Sequence, residues 1–134
     1  TLDNDMKEKL KSLKAVFSAD GPMSKTRINR VDETGTGIDP KSLSAIHPII
    51  KEKERNNKKS LYLSPGHAIK ICDLDDQESK NLMQKLIDHQ TKDEFIYGFE
   101  WEPNCLALWS NYAVLHNPVN DFNIHRVMHR ITIQ

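Results

Sequence analysis

A series of short apolar segments, cut by turn residues, dominates the second half of the chain. "FIYGFEW" (95–101) is followed by the turn "EPN", then by "CLALWSN" (105–111), "AVLH" (113–116) and, after a turn-rich gap, "HRVMHRITIQ" (125–134). Segments this short, rich in aromatic and branched residues, read as β-strands. Strands satisfy their backbone N–H and C=O groups only by pairing with neighbours, so the pattern demands a sheet. With helices gathered near the front, it predicts an α+β chain, mostly β with two helices, arranged as an antiparallel sandwich or open barrel.

The first helix is expected over "TLDNDMKEKLKSLKAVF", where Leu2, Met6, Leu10, Leu13 and Phe17 follow a 3.6-residue stripe and acids crowd the first turn. Residues 18–45 hold three glycines, two prolines and few large apolar side chains, and read as a long loop or lid. "HPII" and "SLYLS" read as two strands joined by the charged turn "KEKERNNKK". A second helix is expected over "DDQESKNLMQKLIDHQ": Asp75 and Glu78 fit a capping box, and Leu82, Met83, Leu86 and Ile87 form one apolar face. His89 falls in its last turn, where a cation suits the dipole.

Length and charge narrow the function classes. A chain of 134 residues suits a single domain, spanning 1–134, that needs no disulfide or structural metal merely to fold. Lys plus Arg equals Asp plus Glu, at 19 each, so no global field draws nucleic acid or anionic lipid. Cys72 and Cys105 lie far apart without metal-ligand spacing, which predicts two reduced, half-buried thiols in a cytoplasmic protein. No apolar run reaches the ~20 residues of a membrane helix, and no signal peptide is visible.

The last segment carries the chemistry. Alternation along a strand puts Arg126, Met128 and Arg130 on one face, and Val127, His129, Ile131 and Ile133 on the other, expected to pack inward. Two arginines four residues apart lie about 13 Å apart along a strand. That is too far to grip one carboxylate together and suitable for two anions in one cavity. The guanidinium fork pairs with carboxylate or sulfonate oxygens in bidentate geometry. Spacing alone equally allows both arginines to salt-bridge surface acids on an edge strand. A lone His116 at a strand end is, by itself, more often hydrogen-bonded than metal-bound.

"W-S-N-Y-A-V-L-H", followed ten residues after its histidine by "R-V-M-H-R", closely resembles the C-terminal signature of the taurine dioxygenase (TauD/TfdA-like) family of Fe(II)/2-oxoglutarate-dependent dioxygenases. The first helix, "HPII…KKSLYLSPGHAIKI" and "DEFIYGFEWEPNCLALWSN" resemble further family segments in the same order. The resemblance implies part of a double-stranded β-helix, a jelly-roll or cupin-like fold, with Fe(II) as cofactor and 2-oxoglutarate and O2 as cosubstrates. It implies His116 as the distal iron-binding histidine, Arg126 as the partner of the far carboxylate of 2-oxoglutarate, and Arg130 as the partner of the substrate's anionic group. His67 falls where the family lines its substrate pocket. Ser110 and Cys105 stand where family members usually have aspartate, and neither departure removes a metal ligand. Asn111 is expected to organise the turn before the histidine. His125 and His129 are read as structural.

The implied reaction is hydroxylation of a small anionic substrate, such as a sulfonate, alkyl sulfate or carboxylate, with release of succinate and CO2. Iron in this family sits on two histidines and one carboxylate, and the first histidine and the carboxylate come from a His-x-Asp motif. None of the six histidines here is followed two residues later by an acid. The chain is therefore expected to be the C-terminal portion of a larger oxygenase, inactive alone, with sheet edges left for the missing N-terminal portion or another copy to cover. The alternative is a degenerate, non-catalytic β-sandwich that binds a small dianion.

Overall fold

Asp3 opens the first helix: its carboxylate accepts the Met6 N–H at 2.7 Å, satisfying one of the donors a helix start leaves free. The computed structural model describes residues 2–22, 42–53, 56–119, 121, 123–125 and 127–133. Helix α1 runs Asn4–Lys11, with Asp5 in its first turn and Lys9 and Lys11 in its last, matching the helix dipole. Leu10 is fully buried beneath it.

The helix stops six residues short of Phe17. Lys14–Ser18 forms strand β1 instead, so Leu13 and Phe17 do not belong to the helical stripe. Val16 and Phe17 favour extended backbone, and β1 has partners on both edges. It pairs antiparallel with β2 (Ser44–Pro48), Ala15 opposite His47, and antiparallel with β5 (Ala68–Ile71), Ala15 opposite Ile71. The order is β2–β1–β5. Ala15 at the centre is fully buried, where a larger side chain would have no room. The register slips between Val16 and Phe17, so Ile69 on β5 is skipped, the signature of a bulge.

β3 (Ile50–Lys53) and β4 (Lys58–Leu61) make an antiparallel hairpin, with Ile50 opposite Leu61 and Lys53 opposite Lys58. Much of the charged run expected as a turn is therefore strand, with Glu52 and Lys59 paired across it at 3.5 Å. Asn57 takes the turn's positive φ of 53°, and the Asn56 side chain accepts the Lys58 N–H. "HPII" is divided, His47 and Pro48 ending β2 while Ile50 begins β3. The loop expected over 18–45 gives up its ends to β1 and β2, and its residues 23–41 lie outside the described residues.

Helix α2 (Asp76–Gln90) starts where the capping pattern placed it: the Asp75 carboxylate accepts the Glu78 N–H at 2.8 Å. Leu82 and Leu86 are buried, with Met83 and Ile87 packed beside them. They close a core with Leu10, Ala15, Ile49, Leu63, Ala68 and Ile71. Ser79 ties the helix to the sheet, because its buried hydroxyl accepts the Ile71 N–H at 2.8 Å. Ser79→Ala would leave that N–H unpaired, at an expected cost of about 1–3 kcal/mol. A lower urea midpoint at unchanged m-value is the result to look for.

After α2 and a 3-10 turn at Asp93–Phe95, no strand is paired among the described residues of 96–133. The expected strands 95–101, 105–111, 113–116 and 125–134 are thus absent from the described sheets. The face carrying Val127, Ile131 and Ile133, expected to pack inward, is exposed, Ile131 at 88%. The reason is the one that makes such segments strands at all: an extended segment holds its shape through neighbours, and no described strand pairs with these. The "EPN" turn does form. Cys105 N–H donates to the Glu102 carbonyl at 3.1 Å with Asn104 at φ 66°, as a proline-led type II turn requires. The described part is α+β, two helices with antiparallel sheets.

Candidate functional site

Residues 109–116 reverse direction around a tight turn. The N–H groups of Ala113 and Val114 both donate to the Ser110 carbonyl at 3.1 Å. Asn111 accepts the Trp109 indole N–H at 3.1 Å, so it organises this turn. The reversal brings the Trp109 ring within 5.1 Å of the His116 imidazole, centroid to centroid. His116 is exposed beside that indole.

Tyr112, within the turn, meets the β3–β4 hairpin. Its ring lies 6.1 Å from that of Tyr62, and the Lys51 ammonium sits 4.5 Å from the Tyr112 centroid and 4.1 Å from the Tyr62 centroid. Phe17 and His47 pack on the other sides of Tyr62, at 5.4 and 5.5 Å. Burial pushes the Tyr62 phenol above its ordinary value of 10.0, and Tyr112 adds to the shift. A raised folded-state value stabilises the fold fully below pH 10.0, and that stability is lost as pH climbs through the folded value. Tyr62→Phe is therefore expected to make the urea midpoint less sensitive to pH above that point than it is in the native chain.

The remaining candidates are spread out. Arg126 lies outside the described residues. Arg130 is exposed, and none of the ion pairs found among the described residues includes it. His125 and His129 are exposed. His67 is half-buried in the turn before β5, its Nδ1 2.9 Å from the Ser64 hydroxyl, while its backbone carbonyl accepts the Ser18 N–H. Cys72 is half-buried as expected, but Cys105 is exposed, because its segment has no described sheet over it. A separate open groove of about 510 Å3 between β5 and α2, lined by Pro65, Ile69, Lys70 and Met83 among others, contains none of the candidate residues.

For iron, His116 offers one imidazole nitrogen. Among the described residues no three His, Cys, Asp or Glu side chains converge, so these residues do not complete a three-ligand site. Two features go beyond the sequence pattern, Trp109 against His116 and Lys51 in contact with two tyrosines. The W-x-N-x4-H spacing was the available signal for the first. The second joins residues far apart in the chain and leaves no local trace.

Residues 1–132 match the family described as "Taurine catabolism dioxygenase TauD, TfdA family", and the chain belongs to that family. It is 31% identical over 119 residues to the (S)-phenoxypropionate/alpha-ketoglutarate-dioxygenase of Sphingobium herbicidovorans, covering 86% of this chain and 41% of that protein. It is 34% identical over 92 residues to the alpha-ketoglutarate-dependent sulfonate dioxygenase of Saccharomyces cerevisiae, covering 66% of this chain and 22% of that one. Among solved structures, it resembles AAD-2 in complex with Mn(II) and N-oxalylglycine, with TM-score 0.57 and 27% identity over 76% of this chain and 38% of that chain. The chain thus spans well under half the length of these relatives. Among the described residues no helix is long and apolar enough to cross a membrane.

Proposed function

We propose that this chain forms part of an Fe(II)- and 2-oxoglutarate-dependent dioxygenase that hydroxylates a small anionic substrate, built on a cupin-like double-stranded β-helix. The observation that carries the reading is the family match over 1–132, which runs through His116, Arg126 and Arg130 in one segment. Iron and 2-oxoglutarate, when bound, supply oxidation of the substrate's C–H bond by O2 with release of succinate and CO2.

The chain's own residues have simpler tasks. His116 would hold the metal through one nitrogen, and since no three ligating side chains converge among the described residues, at least one further ligand would have to come from outside them. Arg126 pairs with the far carboxylate of 2-oxoglutarate through a charge-assisted, bidentate contact. Arg130 does the same for the substrate's anionic group, and His67 contributes a further substrate contact. The relatives named for a sulfonate and for a phenoxypropionate support a sulfonate or carboxylate as that anionic group. Two unpaired thiols fit a reducing, cytoplasmic setting.

The test is succinate release by the native protein given Fe(II), 2-oxoglutarate and O2, with sulfonates, alkyl sulfates and aryloxyalkanoates offered in turn. Succinate formed in step with one of these substrates is expected. Retained binding of dianions with no succinate under any condition would overturn the reading in favour of a non-catalytic binding module.

A further inference from the structure

We propose that Lys51 is a positioning residue: its ammonium, in contact with both the Tyr62 and Tyr112 rings, pins the Trp109–His116 reversal to the β3–β4 hairpin and so sets where the His116 imidazole is presented. The role of His116 in this statement rests on the proposed function, while the clamp itself does not.

Three observations meet here. The ammonium lies within cation–π range of both rings, 4.1 Å from Tyr62 and 4.5 Å from Tyr112. Tyr62 is fixed on the hairpin side, since its N–H donates to the Ile49 carbonyl and its ring packs against Phe17 and His47. Tyr112 sits inside the turn closed by the Ser110 carbonyl, and the arms of that turn bring Trp109 against His116. Among the described residues those around the turn have no strand partner, so side-chain contacts such as this one and the Tyr62–Tyr112 ring pair join it to the folded core. Lys51 projects from a strand whose register is set by β4, with Lys51 opposite Ser60, so the ammonium is presented from a rigid base. A lysine doing no more than covering aromatic surface with its methylenes would be replaceable by glutamine, whereas a cation held against two aromatic rings at once is replaceable only by another cation.

That contrast supplies the test. In the metal-free native protein the Trp109 ring current displaces the His116 ring-proton resonances, and Trp109→Leu gives their undisplaced positions. Lys51→Gln is expected to move them most of the way to those positions, and Lys51→Arg to leave them near the native ones. Tyr112→Leu, which removes the clamp from its other side, should match Lys51→Gln while the α2 amide resonances of both variants stay put. Mn(II) affinity, read from the free-ion EPR signal, should fall roughly fivefold in Lys51→Gln and recover in Lys51→Arg. Unmoved His116 resonances in Lys51→Gln, or equal effects of glutamine and arginine, would overturn the proposal. Displaced resonances with unchanged Mn(II) affinity would overturn the link to the metal. If the native protein binds no Mn(II), the proposed function is what fails, and the resonance shifts alone decide the clamp.

Discussion

Replacing Arg126 with alanine is expected to weaken 2-oxoglutarate binding by roughly 30-fold to several thousand-fold, the equivalent of about 2–5 kcal/mol for truncating one partner of a desolvated, hydrogen-bonded charge pair. The size of the effect comes from the carboxylate left behind. If Arg126 has the proposed role, its loss leaves the far carboxylate of the cosubstrate without its counter-charge. Lysine is not expected to rescue it, because an ammonium cannot reproduce the two parallel N–H···O contacts of the fork. Titration calorimetry of the native protein and the variant with 2-oxoglutarate measures this directly, and unchanged affinity would show that Arg126 has another task. Arg130→Ala separates the roles. It should abolish substrate-dependent succinate formation while substrate-free turnover of 2-oxoglutarate continues, and equal loss of both would merge the two arginines into one function.

Leu86→Ala should cost about 2–5 kcal/mol, the range for removing a fully enclosed leucine whose cavity relaxes only in part. Leu86 is wholly buried on the sheet-facing side of α2, in one core with Leu10, Ala15 and Ile71. Against a typical total of 5–15 kcal/mol, that loss removes a large fraction of the stability. Urea unfolding followed by circular dichroism reads it. The matched control is Leu106→Ala, where the side chain is 93% exposed and the expected change stays within about 0.5 kcal/mol. A cost at Leu106 approaching that at Leu86, measured in the native protein, would mean that the segment after α2 is covered by something beyond the described residues.

Local chemistry made part of this molecule legible in advance. Asp75 followed by Glu78 and the stripe through Leu82 and Leu86 predict α2, because a helix start needs an acceptor for its free N–H groups and its core face recurs every three to four residues. Pro103 and Asn104 predict the Glu102–Cys105 turn, since proline presets one dihedral and asparagine tolerates the positive φ of the next. The ordered segments that led to the family, from the first helix to "R-V-M-H-R", needed no coordinates either, and the match over 1–132 agrees with them.

Other features were decided by partners distant in the chain. Leu10, Leu13 and Phe17 keep helical spacing, yet Lys14–Ser18 is a strand because β2 and β5 offer it hydrogen bonds on both edges, which no local pattern encodes. The run at 51–59 reads as the solvated tip of a hairpin, and the hairpin is present, but its strands reach further into the run than local pattern shows, Lys53 standing opposite Lys58. The alternation of Val127, Ile131 and Ile133 states a preference for a sheet, and only a neighbouring strand can turn that preference into burial. For the site, the family resemblance nominated His116 and the two arginines, while the contact of Lys51 with both Tyr62 and Tyr112 emerged only in three dimensions. Covalent neighbours set dihedrals, caps and turns, whereas burial and ring contacts depend on which surfaces meet, and in this chain residues as far apart in sequence as Leu10 and Leu86 share one core.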